Sequence, residues 1–318
     1  MDAFEKILRE RKNRTFVLID PRGGKGDILI KVGLEKKLKE YAIKYSCLDY
    51  VPENVKTFEI RKFVDLFKLP ASIKHKVENW FASLSKRHSE KQISKIEKYD
   101  VALLRGGGYL NDFWCDYDVL RYILKYSAGD IILGPHSFYF KNNIFFNIIN
   151  SSHKNIFIFC REKYSYDLLL SMPFMKNIHV YLSDDSVFYL SKNDFPLSQK
   201  NPAGLYDLIC IRSDIELKST IDTKTLKIKK ASDKKDAQNS SCKILIGDVE
   251  SVHDYLAYIS IVLGARKVFT TRLHVGVLAA ILGKETYLYP ISYFKNQGVY
   301  EYSLYKFPNV HFMTDGKS

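Results

Sequence analysis

The sequence predicts an α/β protein built from two domains with parallel sheets. Short runs rich in β-branched and aromatic residues alternate with longer amphipathic stretches, as they do in βα units. Several of the short runs are apolar without alternation, which is typical of strands covered on both faces. A length of 318 residues also fits two domains of about 100–200 residues each.

The alternation gives an ordered set of elements. The predicted strands are 15–20, 99–105, 130–134, 155–160, 179–183, 206–212, 243–248, 267–271 and 285–289. The predicted helices lie between them, at 27–44, 117–125, 162–171, 252–263 and 275–282. The helix at 252–263 is predicted to start at Ser251, whose hydroxyl can accept hydrogen bonds from the first N–H groups.

A change of composition suggests where the domains meet. Residues 191–205 are rich in Pro, Asn, Ser and Lys, and no apolar period continues through them. We predict a hinge here, between an N-terminal α/β domain at 1–195 and a C-terminal α/β domain at 196–318. Within the second domain, residues 218–243 hold eight Lys against three Asp and are predicted to be an exposed insertion. Residues 55–98 are predicted to be helical and basic.

Composition excludes several classes of protein. With 46% hydrophobic and 27% charged residues, the chain can form a core and is not disordered as a whole. No apolar run approaches the ~18 residues that span a bilayer, and the charged N-terminus does not resemble a secretory signal. The five cysteines stand far apart, which favours reduced thiols in a cytoplasm over a disulfide framework or a zinc site.

The net charge of +13 attracts polyanions, whether nucleic acid, anionic lipid or phosphorylated small molecules. No nucleic-acid-binding motif accompanies the charge, and the lysines are spread along the chain. We therefore expect no nucleic-acid partner.

Glycine-rich loops follow three of the predicted strands. DPRGGKGD at 20–27 matches neither a P-loop nor GxGxxG, so it indicates either a generic ligand loop or a tight turn. In RGGGYLND at 105–112, Asn111 and Asp112 could bond sugar hydroxyls, or Asp112 could cap the next helix. In GPHSFYF at 134–140, His136 is either a ligand-binding residue or a structural one.

A further strand end carries Arg161, in the segment CREKYS at 160–165. Its guanidinium could bind an anion. The alternative is a structural ion pair with a nearby carboxylate such as Asp184 or Asp185.

The sharpest signal is VFTTRLHVGVLAAILGK at 268–284. Arg272 and His274 follow a strand at a spacing of two, and extended backbone would point both side chains the same way. A guanidinium beside an imidazole suits a substrate with an acidic oxygen and a proton to move. The alternative is an Arg–carboxylate bridge beside an idle histidine. Arg212 and Lys295 provide further cations in the same domain.

The ordered motifs resemble the polysaccharide pyruvyl transferase family over roughly residues 16–300. They are GGKGD, RGGGYLND, GPHS, CREKYS, SDDSVFYL, ICIR, TTRLHVGVLAAILGK and YFKNQGV. The resemblance implies two Rossmann-like domains in a GT-B-like arrangement, with the site in an interdomain cleft. It also implies transfer of pyruvate from phosphoenolpyruvate to two hydroxyls of a sugar in a cell-surface polysaccharide precursor, as a cyclic ketal.

The same resemblance assigns roles to residues. Arg212 and Arg272, helped by Lys295, would bind the donor in the C-terminal domain, and His274 would be the catalytic acid beside Arg272. The acceptor would lie against the N-terminal domain, at a set of four residues: Asp27, Asn111, Asp112 and His136. No metal or redox cofactor is required by this chemistry.

Two alternatives stay open. The same cations could hold the diphosphate of a nucleotide sugar in a GT-B-type glycosyltransferase, or the chain could bind carbohydrate without catalysis. The expected partners are phosphoenolpyruvate and a sugar acceptor, free or lipid-linked, and an oligomer is compatible with the sequence. We expect a cytoplasmic protein, with peripheral contact to the anionic inner face of the cell membrane as one use of its charge.

Overall fold

The computed structural model describes residues 2–21, 23–50, 89–114, 117–195, 204–217, 243–252 and 254–314. All of the predicted insertion at 218–243 except its last residue lies outside the described residues. So do most of the predicted helical stretch at 55–98 and the centre of the predicted hinge.

The first sheet contains six parallel strands in the order β2-β1-β3-β4-β5-β6. They are β1 (Phe16–Pro21), β2 (Tyr45–Tyr50), β3 (Val101–Leu104), β4 (Asp130–His136), β5 (Ile156–Cys160) and β6 (Ile178–Leu182). The accompanying helices are α1 (Ala3–Glu10), α2 (Lys25–Glu40), α3 (Asp118–Tyr126), α4 (Ile144–Asn150) and α5 (Lys163–Leu170). Strands β3, β4 and β5 are buried along their whole length, as their unbroken apolar runs predict.

The second sheet contains five parallel strands in the order β11-β10-β9-β7-β8. They are β7 (Tyr206–Cys210), β8 (Lys243–Ile246), β9 (Ala265–Thr270), β10 (Glu285–Leu288) and β11 (Val310–Phe312). Its helices are α6 (Tyr255–Gly264), α7 (Leu273–Ile281) and α8 (Lys295–Tyr302). The predicted fold class, two parallel-sheet α/β domains, is confirmed.

Both sheets place their first strand between the second and the third. In such open sheets, ligands bind at the carboxyl ends of the strands, where the strand order reverses. The reversal in the second sheet falls between β7 and β9, where Cys210 pairs with Thr270. Two residues beyond that pair, Arg212 and Arg272 leave neighbouring strands at the same level.

The chain divides into two compact units, each with its own core. The first comprises Met1–Gly23, Leu34–Arg161 and Ser165–Asp185, and the second Gly24–Gly33, Glu162–Tyr164 and Ser186–Ser318. The main division therefore falls at 185/186, whereas the sequence analysis placed it at 195/196. The segment at 24–33 joins the second unit because Leu29 and Ile30 pack in its core.

Helix starts differ from the prediction by one to three residues, and those of α6 and α7 bear on the site. Helix α6 begins at Tyr255, and its N-cap is Asp254, whose side chain accepts from the Ala257 N–H, so Ser251 is not the cap. Helix α7 begins at Leu273, two residues earlier than predicted. His274 therefore lies in the first turn of α7 and not on extended backbone.

No helix in the described residues is long and apolar enough to cross a membrane. Among the same residues, Cys210 is a free thiol.

Candidate active site

Arg272 stands at the carboxyl end of β9, between two carboxylates of the second unit. Its Nε and Nη2 donate to Oδ1 and Oδ2 of Asp248, at 3.1 and 2.5 Å. Its Nη1 donates to Oδ2 of Asp214, at 2.7 Å. The fork of the guanidinium is thus held in one orientation by residues that follow β7 and β8.

The row of charges continues from Asp214 through Arg212. Nε and Nη2 of Arg212 donate to Oδ1 and Oδ2 of Asp214, at 2.7 and 3.0 Å. Nη1 of Arg212 and Nζ of Lys295 both donate to Oε2 of Glu216. Glu216 is 1% exposed and Arg212 is 4% exposed, so this end of the row is buried.

The alternating row has no net formal charge, and we call it the charge ladder. Its members, in order, are Asp248, Arg272, Asp214, Arg212, Glu216 and Lys295. Burial tends to raise the pKa of Asp214, but its bonds to Arg212 and the charge of Arg272 lower that pKa to about 2. Burial tends to lower the pKa of Arg272, but Asp248 and Asp214 raise it above its usual value.

Arg272 is the guanidinium of the ladder that a ligand can reach more easily. Its side chain is 17% exposed, against 4% for that of Arg212. A guanidinium has five N–H donors, and three of those on Arg272 donate in the bonds above. Among the described residues, two donors remain for an anionic ligand.

The glycine loop before α2 packs against His274 within the second unit. A Cβ added at Gly26 would lie 2.6 Å from Cβ and 2.7 Å from Nδ1 of His274. Glycine is therefore required here, because any side chain would displace the imidazole. This close approach is to a side chain of the protein itself, and the use of GGKGD as a ligand loop stays a prediction.

Glu250 contacts the same loop. Its carboxylate accepts from the N–H of Lys25 at 2.5 Å and of Gly26 at 3.2 Å. Burial is the main cause that raises its pKa, the nearby Asp27 raises it further, and Arg272 and His274 oppose the rise. Arg272 and His274 thus both act on one carboxylate, although the extended geometry predicted for them is wrong.

The carboxylates of this site were missed by the sequence analysis. Asp214 and Glu216 lie just beyond ICIR, and Asp248 and Glu250 just beyond KILIG, so each pair follows a strand directly. Their position after a strand was the sequence signal that could have identified these carboxylates. The alternative considered for Arg272, an Arg–carboxylate bridge, is present. Among the described residues, two N–H donors of Arg272 are still unused beside it.

Asp27 belongs to the second unit, whereas Asn111, Asp112 and His136 belong to the first. Its carboxylate accepts from the Gly24 N–H at 2.9 Å, and its charge raises the pKa of Glu250. Both contacts are within the second unit, to which Gly24–Gly33 belongs. Its placement in the N-terminal domain is therefore corrected.

Asn111 and Asp112 brace the loop after β3 in the first unit. Asn111 is fully buried, donates to the Gly108 carbonyl at 2.8 Å, and accepts from the N–H groups of residues 113 and 114. Asp112 accepts from the hydroxyl of Tyr117 at 3.0 Å and from the N–H of Lys141. Asp112 does not cap α3, whose N-cap has no side-chain bond. Asn111 is not placed to touch an acceptor as the structure stands.

His136 is likewise fully buried, at the end of β4. Its Nδ1–H donates to the Gly134 carbonyl at 2.5 Å, and its Nε2 has no hydrogen-bond partner in the described residues. Burial lowers its pKa to about 3, with the charges of Arg161 and Arg105 acting in the same direction. A neutral, buried ring favours the structural function over contact with an acceptor.

Arg161 forms the structural ion pair that was considered as the alternative to anion binding. Its Nη1 donates to Asp185 at 2.7 Å and its Nε to the hydroxyl of Ser137 at 2.8 Å, and all three residues are buried. In the described residues, no group of three or more His, Cys, Asp or Glu side chains is arranged to hold a metal ion.

Fold and site together define a parallel α/β protein whose polar cluster lies at the strand-order reversal of its second sheet, as in enzymes that bind anionic ligands. The model of the family described as "Polysaccharide pyruvyl transferase" matches residues 25–293, which is most of the chain. The chain belongs to the polysaccharide pyruvyl transferase family, and it is a transferase by that membership. No curated protein sequence matches it significantly.

The chain also aligns with solved structures of other proteins. An uncharacterised protein of Klebsiella pneumoniae aligns with a TM-score of 0.61 at 22% identity, over 98% of this chain and 97% of that one. The UDP-GlcNAc 2-epimerase of Neisseria meningitidis aligns with a TM-score of 0.49 at 13% identity, over 90% and 85% of the two chains. The heptosyltransferase WaaC of E. coli aligns with a TM-score of 0.45 at 10% identity, over 94% and 92%.

Proposed function

We propose that this protein transfers pyruvate from phosphoenolpyruvate to a sugar of a cell-surface polysaccharide precursor, forming a cyclic ketal. The observation that carries the proposal is the pair Arg272 and His274 at one carboxylate, in a chain whose family is defined by pyruvyl transfer. Phosphoenolpyruvate has a carboxylate and a phosphate, so its binding requires fixed cations. Arg272 offers its two remaining donors, and Arg212 and Lys295 complete the donor site.

The reaction needs one proton delivered and two bonds formed at the same carbon. His274 protonates the methylene carbon of phosphoenolpyruvate, and a first sugar hydroxyl then attacks C2. A second hydroxyl displaces phosphate and closes the ketal. A positioned general acid contributes about 10²–10⁴-fold to such a step. Asp27, beside the loop that contacts His274, is the acceptor-side residue that best fits this site.

The acceptor is free or lipid-linked. For a lipid-linked sugar, we propose that the protein works at the inner face of the cell membrane, held peripherally by its excess of positive charge.

Thermal denaturation tests the donor. At a phosphoenolpyruvate concentration ~100 times Kd, we expect wild type to gain about 2.7 kcal/mol of stability. Arg272→Ala removes the reachable guanidinium and should abolish the gain. Arg266→Ala is the matched control, since Arg266 lies on β9, the strand that precedes Arg272. Its guanidinium pairs with Asp207 at 2.9 Å, and Asp207 is not part of the ladder.

The other outcomes separate the alternatives. Stabilisation by a nucleoside diphosphate and not by phosphoenolpyruvate would replace pyruvyl transfer with glycosyl transfer. Stabilisation by neither ligand would count against pyruvyl transfer and against glycosyl transfer, and would favour carbohydrate binding without catalysis. Equal loss of the gain in the Arg272 and Arg266 variants would contradict the placement of the donor.

A further inference from the structure

Ketal formation needs a group that accepts a proton as well as one that donates it. When the first hydroxyl attacks C2, its oxygen forms a bond to carbon and must lose its hydrogen. His274 has by then given its proton to the methylene carbon in the reaction proposed above, on which this inference rests. A carboxylate near His274 can accept this proton and leaves His274 to act at the methylene carbon alone.

The carboxylates of the site differ in what already binds them. Asp214 and Asp248 are ion-paired to Arg272, and Glu216 is ion-paired to Arg212 and Lys295. An arginine that stabilises the ionised form makes a carboxylate a weaker base, as the low pKa of Asp214 shows.

Glu250 differs from these three carboxylates. Its oxygens accept from the backbone N–H groups of Lys25 and Gly26, and it makes no ion pair with the part of the chain that the structure describes. Burial and the charge of Asp27 raise its pKa, which is the direction that makes a carboxylate a better base near neutral pH. Glu250 as a whole residue is neither fully buried nor fully exposed.

The glycine loop fixes Glu250 relative to His274. Gly26 donates its N–H to Glu250 and leaves no room for a Cβ beside His274. A Cβ on Gly24 would lie 2.3 Å from Oε2 of Glu250, so the loop approaches the carboxylate as closely as it approaches the imidazole. One loop therefore contacts both Glu250 and His274 and fixes their positions relative to each other.

We propose that Glu250 is the general base that takes the proton of the attacking acceptor hydroxyl. The hydroxyl oxygen bonds to C2 as its O–H bond breaks, and the proton passes to a carboxylate oxygen of Glu250. The proton of His274 resides on the former methylene carbon. Phosphate leaves with the electron pair of its C–O bond when the second hydroxyl attacks, the proton of that hydroxyl passes to the departing phosphate, and no oxidant or reductant is involved.

The test follows phosphate release from phosphoenolpyruvate, with water and a panel of methyl hexopyranosides as acceptors. Glu250→Gln keeps an oxygen for the N–H groups of the loop but cannot act as a base. We expect saturating turnover to fall about 10²-fold or more, while the thermal shift given by phosphoenolpyruvate is retained. We also expect the acid limb of the pH–rate profile to be absent in the Glu250→Gln variant.

Asp248→Asn is the matched control, two residues away and bound to Arg272. It should weaken phosphoenolpyruvate binding more than saturating turnover, the reverse of Glu250→Gln. Glu250→Ala with added formate separates a base from a structural residue, because formate should restore part of the lost turnover.

Each failure has its own meaning. Turnover in Glu250→Gln like that of wild type, or an unchanged acid limb, would overturn the assignment of Glu250 alone. Absence of formate rescue in a folded Glu250→Ala protein would assign Glu250 a structural function. Absence of phosphate release by wild type would overturn the proposed reaction itself, and the assignment with it.

Discussion

His136 ties the stability of the first unit to pH. Its neutral ring is buried between aromatic side chains, with ring centroids 4.9 Å from Tyr109 and 5.5 Å from Phe138. Protonation in the folded state would place a charge there without solvent, which is why the pKa falls to about 3. In the unfolded chain the same ring should titrate near 6.5.

The sign of the pH effect follows from this difference. Between pH 6.5 and 3 the unfolded state binds one more proton than the folded state, so stability falls as pH falls through that window. One such group changes the free energy of unfolding by about 1.4 kcal/mol per pH unit.

His136→Phe keeps a ring in the buried site and removes the proton, so its stability should depend less steeply on pH. Urea unfolding of both proteins at pH 7.5, 6 and 5 measures the difference. His153→Phe, at an exposed position, is the control and should follow wild type, because its side chain meets solvent in both states. Parallel curves for His136→Phe and wild type would contradict the prediction.

The start of α2 is the element on which the candidate active site depends most closely. The helix begins at Lys25, and its first free N–H groups are bound by Glu250, a residue distant in sequence. The loop thereby orders the carboxylate, and the carboxylate supplies the acceptor that a helix N-terminus needs. A change in the loop should therefore affect stability and activity together.

Gly26→Ala tests this dependence. The added Cβ would overlap His274, so we expect a loss of about 1–3 kcal/mol of stability and a larger loss of turnover than of phosphoenolpyruvate binding. Gly247→Ala is the matched control, since nothing lies within 4 Å of its Cβ position. Urea unfolding and phosphate release on both variants provide the measurement. Similar behaviour of the two proteins would show that the contact with His274 is not limiting.

At the scale of elements, the alternation of apolar runs predicts the sheets well because most strands are buried. All nine predicted strands are present, as β1 and β3–β10. The strands missed, β2 and β11, form edges of their sheets, and their sequences YSCLDY and VHF carry exposed positions. An edge strand is paired on one side only, so its sequence need not be apolar throughout.

The site was predicted less completely, for a different physical reason. Arg272 and His274 are recognisable because their residue types suggest chemistry on their own. The carboxylates that orient Arg272 are assigned by pairing across the sheet, and Asp214 and Asp248 stand 58 and 24 residues away from it in sequence. Likewise, the burial of Asn111 and His136 follows from packing that the alternation of apolar runs does not report.

At the scale of the whole molecule, the two sheets repeat one strand order and differ in how the reversal point is used. In the first sheet, Arg105 spans the reversal and binds Asp20 at 2.5 Å and the Pro21 carbonyl at 2.6 Å, so a structural ion pair fills it. In the second sheet, the charge ladder leaves unused donors on Arg272. We therefore expect the chemistry in the second unit.

Part of the net charge of +13 lies in one segment of the sequence. Residues 218–243 contain eight Lys and three Asp, a surplus of five charges within 26 residues. Lysines near one another in sequence act together on an anionic surface, because the Debye length is about 8 Å at physiological salt. If charge holds this protein at a membrane as we propose, that segment should contribute more than its share.

Flotation with lipid vesicles tests the point with two variants of equal net charge. The first replaces five lysines of the segment by Gln: Lys227, Lys229, Lys230, Lys234 and Lys235. The second replaces five exposed lysines elsewhere: Lys12, Lys44, Lys91, Lys98 and Lys176.

At roughly 1 kcal/mol per lysine near an anionic surface, we expect the first variant to lose about tenfold or more in affinity for phosphatidylglycerol vesicles. The second should lose much less, because dispersed lysines do not all meet the surface at once. Equal losses would assign binding to overall charge, and equal flotation of wild type with phosphatidylcholine vesicles would remove charge as its cause.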